Sequence, residues 1–173
     1  MRKLFLTLLA AFSCLCLSAQ DAILERIRQA NTFDTMTASF TQVRHSALLT
    51  EDLVSEGFVA MAAPGRIRWE IRKPSHRVTV LDGEGAAAGR RFRLPTEKDF
   101  NIRSLEGEDY ALTLEPLRRD LKQLFRQIIV HAHKQTARVQ SVLLISPDGD
   151  WTRLEFKDIC SGEPLDEKLF TKE

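Results

Sequence analysis

Residues 64–74, PGRIRWEIRKP, alternate without a break. Ile67, Trp69 and Ile71 fall on one side of an extended chain, and Arg66, Arg68, Glu70 and Arg72 on the other. A period of two marks a half-buried strand. The same period recurs at 37–45, 54–62, 76–82, 90–94, 109–115, 127–133, 137–145 and 151–158. Several links between these runs are short and rich in turn formers: 63–65 and 73–75 carry Pro64 and Pro74, and 146–150 reads SPDGD. A parallel return needs about a dozen residues or more, so neighbours joined by such links run antiparallel. The chain must therefore bury one face of a large meandering sheet.

Helical spacing occurs in two places. Ile23, Ile27 and Ala30 lie three or four apart, which predicts an amphipathic helix of about three turns over 22–33, with Asp21 placed to cap it. Leu117, Leu121, Leu124, Phe125 and Ile128 have the same spacing after Pro116, which predicts a short helix in 117–128. The tail of that segment overlaps the strand predicted at 127–133. With many strands and few helices, a strongly curled sheet partly covered by helices is the economical way to bury one face. The expected class is mainly β (α+β).

The first residues read as a segment to be removed before folding. Arg2 and Lys3 precede an apolar run from Leu4 to Leu17, broken only by Thr7 and Ser13, and Ser18-Ala19 supplies small residues at a cut. This is the layout of a secretory signal peptide, and the run is shorter than the ~20 apolar residues of a membrane span. Residues 1–19 are therefore expected to be a signal peptide and 20–173 a single exported domain. Cys14, preceded by Ala11-Phe12-Ser13, fits a lipidation site only in part, and Cys16, preceded by Leu15, does not fit, so a soluble exported protein is expected. Without Arg2 and Lys3 the chain carries 23 basic against 24 acidic side chains, a balance that offers no electrostatic grip on nucleic acid or an anionic membrane. Only Cys160 lies beyond the signal segment, so no intramolecular disulfide is expected.

The groups that carry chemistry elsewhere do not assemble here. Gly83, Gly85 and Gly89 brush against a dinucleotide fingerprint, but strands surround them where that motif needs a helix. His131 and His133 share a strand face, with His45 and His76 as guesses for further ligands, and no recognisable metal set results. The carboxylates of Glu106, Glu108 and Asp109, and of Asp148 and Asp150, sit in turn-rich stretches, where such residues usually shape turns. Cys160 has no neighbouring histidine, and no nucleophile elbow is present. No catalytic residue, metal or cofactor is expected. The informative set is apolar: Phe40, Phe58, Ile67, Trp69, Ile71, Phe92, Leu112, Leu114, Leu154 and Phe156 all fall on plausible inward faces. Periodicity leaves open whether they form a filled core or line a cavity.

The order of motifs resembles the outer-membrane lipoprotein carrier (LolA) family. The resemblance rests on FDTMTASFTQ (33–42), SEGFVAMAAPGRIRWEIRKP (55–74) and VTVLDG (78–83), in order and at matching spacing. The ending TRLEFKDICSGEPLDEKLF (152–170) is similar to that family's last strand and tail. The resemblance implies an unclosed antiparallel β-barrel, its open face covered by helices acting as a lid. Within it, an apolar cavity would shelter the acyl chains of a lipoprotein; motif position places Ile67 and Trp69 on its wall with Phe40 and Phe58, and Ile71, Phe92, Leu112, Leu154 and Phe156 of the apolar set are expected to complete the lining.

It further implies a monomeric, non-enzymatic periplasmic carrier that takes cargo from an inner-membrane ABC transporter and delivers it to an outer-membrane acceptor. The helices at 22–33 and 117–128 would be the lid. Two departures stand out. The family often carries an arginine before the proline of the third-strand turn, bonding to lid carbonyls; that position is Ala63 here, leaving such a latch without its donor. The aromatic residues expected after Asp82-Gly83 are replaced by Glu84-Gly85-Ala86-Ala87-Ala88-Gly89. An exported lipid- or lipoprotein-sensing regulator of the same barrel type, and an envelope hydrolase, are the rival readings.

Overall fold

A computed structural model describes residues 21–81 and 94–171. Nine strands form one antiparallel sheet: β1 (Thr35–His45), β2 (Leu53–Ala62), β3 (Arg66–Lys73), β4 (Arg77–Leu81), β5 (Phe100–Glu106), β6 (Tyr110–Pro116), β7 (Gln127–Ala132), β8 (Val139–Ile145) and β9 (Trp151–Ser161). Their order across the sheet is β4-β3-β2-β1-β9-β8-β7-β6-β5. The ends, β4 and β5, do not pair with each other, so the curled sheet stays an unclosed barrel. Residues 21–30 form helix α1, Arg119–Leu124 helix α2, and Glu167–Phe170 a single 3-10 turn.

Most expected strands are present within a residue or two of the expected ends. The strand expected at 90–94 lies outside the described residues except for Leu94, which is not in a strand. The signal segment 1–19, the glycine-rich loop and Phe92 also lie outside them. Strand β5 was not expected. Its inward positions are Phe100, Ile102 and Ser104, while Leu105 points outward and is 63% exposed, so polar and apolar residues stand on the wrong sides of the pattern. Helix α2 is shorter than expected. Its stripe ends at Leu124, and Ile128 belongs to β7, paired with Leu114 and Leu144.

Register fixes which side chains share the inner face. Phe40 stands opposite both Gly57 on β2 and Phe156 on β9. Trp69 stands opposite Val59, and Ile71 opposite Gly57. Gly57 is required there. A Cβ on it would collide with the backbone carbonyl of Glu70 and lie 2.5 Å from Cζ of Phe40. The absent side chain is the space into which the Phe40 ring packs.

Two apolar clusters lie along the inner face. Leu24 and Ile27 of α1 press on Tyr110, Leu112, Leu114, Ile128, Val130 and Ala132, closing over β6 and β7. The second joins Ala38, Phe40, Val59 and Ile71 to the half-buried Met36, Met61, Ile67, Trp69, Leu154, Phe156 and Ile159. A third cluster occupies the outer face of β2 to β4, where Phe170 of the 3-10 turn covers Ala60 and Ala62. Both faces of β2 and β3 thus bury apolar surface, which explains why both are so nearly continuous in apolar or half-buried residues.

Candidate functional site

The end of α1 and the inner face flank a half-open cavity of about 220 Å³. Ala30 and Phe33 form its roof; Met36 and Ala38 of β1, with Met61 of β2, form its floor. Val139, Phe156 and Ile159 close the side toward β8 and β9, and Leu94 adds one more apolar wall. Asn31, Arg138 and Ser161 are its polar lining. Two of its lining residues, Ala30 and Ala38, are small, and larger side chains at either position would take up part of the space. A bulge between β1 and β9, with Asp158 at φ 52°, shifts the register that brings Ile159 and Ser161 inward. Cavities of about 150 Å³ lined by aliphatic and aromatic groups stay dry and accept an apolar guest the size of benzene. This one has room for a short stretch of apolar chain.

The expected lining residues separate into four groups. Phe156 borders the cavity directly. Phe40, Ile67, Trp69, Ile71 and Leu154 continue the same cluster along the inner face, with Trp69 stacked on Phe40 at 4.1 Å between ring centroids. Leu112 does not reach the cavity; it is 1% exposed within the packed cluster under α1, together with Leu114. Phe58 corrects the expectation outright. It stands opposite Ser39 and Glu70, on the outer face, packed near Phe170 with the Arg72 guanidinium 5.1 Å over its ring. The run from Phe58 to Ala62 is apolar at every position, so its parity could not be read without the register.

The contacts that hold α1 down do not use the position of Ala63, whose backbone N–H donates to the Asp34 carbonyl. Asn31, at the helix end, instead bridges helix and sheet. Its Nδ2 donates to the carbonyls of Ile27 (2.7 Å) and Ala137 (2.8 Å), and its Oδ1 accepts from the Val139 amide at 2.9 Å. Arg26 donates to the Tyr110 hydroxyl (3.0 Å) and the Gln135 carbonyl (2.7 Å), while Arg28 pairs with Glu97 at 2.7 Å. The signal for Asn31 was present in the sequence: asparagine is a common residue just past a helix end. Met36 was legible too, two residues before Ala38 and four before Phe40 on the same face.

The charged face of β3 is more deeply placed than its alternation implied. Glu70, with its side chain 14% exposed, takes hydrogen bonds from Arg68 (3.1 Å) and Arg72 (3.0 Å), with His76 at 3.5 Å. Burial pushes the Glu70 carboxyl up, but the hydrogen bonds from Arg72 and Arg68 outweigh it and hold its pKa below the ordinary glutamate value. Arg68 also donates to the Leu169 carbonyl, and Arg66 lies 5.1 Å over the Phe170 ring, which ties the C-terminal turn to the sheet.

Several other polar groups brace turns. Lys134 pairs with Glu106 at 3.0 Å, and its amide donates to Asp109, so one turn braces the next. Asp150 accepts from the Ala47 amide; hydrogen bonds from Ser46 and Ala47 keep its carboxyl below the ordinary aspartate value. His131 is exposed on β7, and the His133 ring accepts from the amides of its own turn. Among the described residues no group of three or more His, Cys, Asp or Glu could hold a metal ion.

Residues 31–88 match the family described as outer membrane lipoprotein carrier protein LolA. The outer-membrane lipoprotein carrier protein of Legionella pneumophila (strain Corby) is 38% identical over 84 residues, covering 49% of this chain and 41% of that protein. The protein of that name from strain Lens is 37% identical over the same length. The match thus spans less than half the length of these curated relatives. Among solved structures, MucB superposes with a TM-score of 0.52 at 16% identity, covering 90% of this chain and 63% of that one. The LolA superfamily protein NE2245 from Nitrosomonas europaea gives 0.48 at 12% identity, covering 88% and 97%. The family match begins just past α1 and runs through β1 to β4, which supply part of the cavity wall, so the likeness to LolA proteins rests on that segment.

Proposed function

We propose that this protein is a non-enzymatic carrier of the bacterial periplasm. It would be exported by the signal peptide at 1–19, with 20–173 as the working domain. It shelters the acyl chains of lipoproteins, or of a related lipid, in the space between α1 and the sheet. One observation carries the reading: an apolar cavity with small-residue walls adjoins a run of large, half-buried side chains on β2, β3 and β9. Each CH₂ kept from water is worth about 0.8 kcal/mol, so an acyl chain crosses an aqueous space only under cover. The cavity as closed is too small for several chains. Loading requires α1 to move, and Asn31, Arg26 and Arg28 are the contacts that would be exchanged. Ile67, Trp69, Ile71 and Leu154 would then join Phe40 and Phe156 as wall, with Phe92 as a further lining residue. In this reading the protein, as a monomer, takes cargo from an inner-membrane ABC transporter and passes it to an outer-membrane acceptor.

The fold shared with MucB, solved in complex with MucA(peri), keeps a regulatory reading in view, in which the same cavity senses lipid or lipoprotein for a signalling partner. Depletion in cells separates the two. A carrier's loss strands outer-membrane lipoproteins in the inner membrane; a sensor's loss leaves them in place and alters an envelope stress response. Protein recovered from the periplasm without any extractable acyl lipid or lipoprotein would count against both.

A further inference from the structure

The cavity is apolar except at one end, and that end holds a cation. Arg138, immediately before β8, reaches toward β9, where its guanidinium donates to the Ser161 hydroxyl at 3.1 Å and to the Ile159 carbonyl at 3.5 Å. Both acceptors are neutral. Among the described residues no carboxylate pairs with Arg138, and no other charged side chain lines the cavity. Asn31, the other strong donor at that end, spends its amide on Ile27 and Ala137. A guanidinium carries five N–H donors, so Arg138 keeps donors to offer. A half-buried charge beside an apolar space is costly unless something of opposite sign completes it. Ser161 and Ile159 fix where that partner would stand: at the mouth of the apolar space, between β8 and β9.

We infer that the cavity takes a single-chain amphiphile with an anionic head, the chain lying among Met36, Met61 and Phe156 and the head on Arg138. This rests on the carrier reading and narrows its cargo. The volume of about 220 Å³ suits part of one chain. Methionine walls repack readily around such a guest. A fatty-acid carboxylate and a lipid phosphate share the required chemistry.

Calorimetric titration of the purified protein with dodecanoate, dodecyl phosphate, dodecanol and dodecyltrimethylammonium, each below its micellar concentration, tests this. Both anions, or one of them, should bind about tenfold or more tighter than the alcohol, the increment of a hydrogen bond to a charged group; which anion wins identifies the source of the head. The cation should bind weakest. Arg138→Gln should bring the anions to the level of dodecanol while leaving dodecanol unchanged, and Arg138→Lys should keep part of the preference. Equal binding of all four probes, or an undiminished preference in Arg138→Gln, overturns the inference but leaves the carrier reading standing. Binding of none overturns both. The ranking in the unmodified protein decides the charge requirement even where Arg138→Gln fails to fold.

Discussion

Two halves of one inner face are built from similar residues and finished differently. Under α1, the strands β6 and β7 meet Leu24 and Ile27 in a filled core, where Ile27, Leu112, Leu114 and Ala132 are all within 2% of complete burial. On the same face of β1 to β3 and β9, only Ala38 and Val59 reach that state, with Phe40 close behind at 3% exposure. Ile67, Trp69, Met61, Leu154 and Phe156 stay half-buried, beside a cavity. Large apolar side chains held half out of water are a standing cost, at about 25 cal/mol per Å² of apolar surface. The filled half holds the fold; the unfinished half is where an apolar guest gains most by binding.

This contrast makes ordered predictions. Leu112→Ala, in the filled half, should lower the unfolding free energy by about 2–5 kcal/mol, read from denaturant titration. Asn31→Ala should cost about 1–3 kcal/mol, because it leaves the Val139 amide and the Ala137 carbonyl without partners. It should also speed hydrogen exchange in α1 more than in β6 or β7; uniform acceleration would mean that α1 does not open by itself.

Glu70 tests the outer face by pH. Its lowered carboxyl contributes stability that is fully present above the ordinary glutamate value of about 4.3 and fades as pH falls through the lower folded value. Glu70→Gln should therefore remove part of the acid sensitivity below about pH 4.3, leaving a flatter profile of unfolding midpoint against pH. The smallest effect on stability belongs to Ile67→Thr. At a half-buried position this uncharged, β-branched replacement should lower the unfolding free energy by about 1 kcal/mol, yet weaken uptake of an acyl probe. A loss as large as that of Leu112→Ala would erase the distinction between the halves.

How much of this was readable in the sequence follows from where periodicity is unambiguous. The strict alternation of β3 and the Met36–Ala38–Phe40 spacing of β1 show strand and face together. Strand β5 hid because Ser104 faces in and Leu105 faces out. Phe58 was misplaced because β2 is apolar on both sides, one for Phe40 and Trp69 and one for Phe170. Ile128 satisfied a helical and an extended pattern equally, and pairing with β6 and β8 decided for the strand. The cavity was least legible of all. It depends on lining residues from distant parts of the chain, Ala30 and Ala38 among them, and on a bulge near Asp158 that no period records.

The most direct test is photo-crosslinking with a fatty acid that carries a diazirine at its terminal carbon, followed by peptide mapping. Adducts on Met36, Met61, Ile67, Trp69 or Phe156, competed away by unlabelled dodecanoate, are the result predicted for a guest held against β1 to β3 and β9. Adducts on Leu112 and Leu114 under α1, or on Phe58 and Phe170 of the outer face, with none in the predicted set, would contradict it.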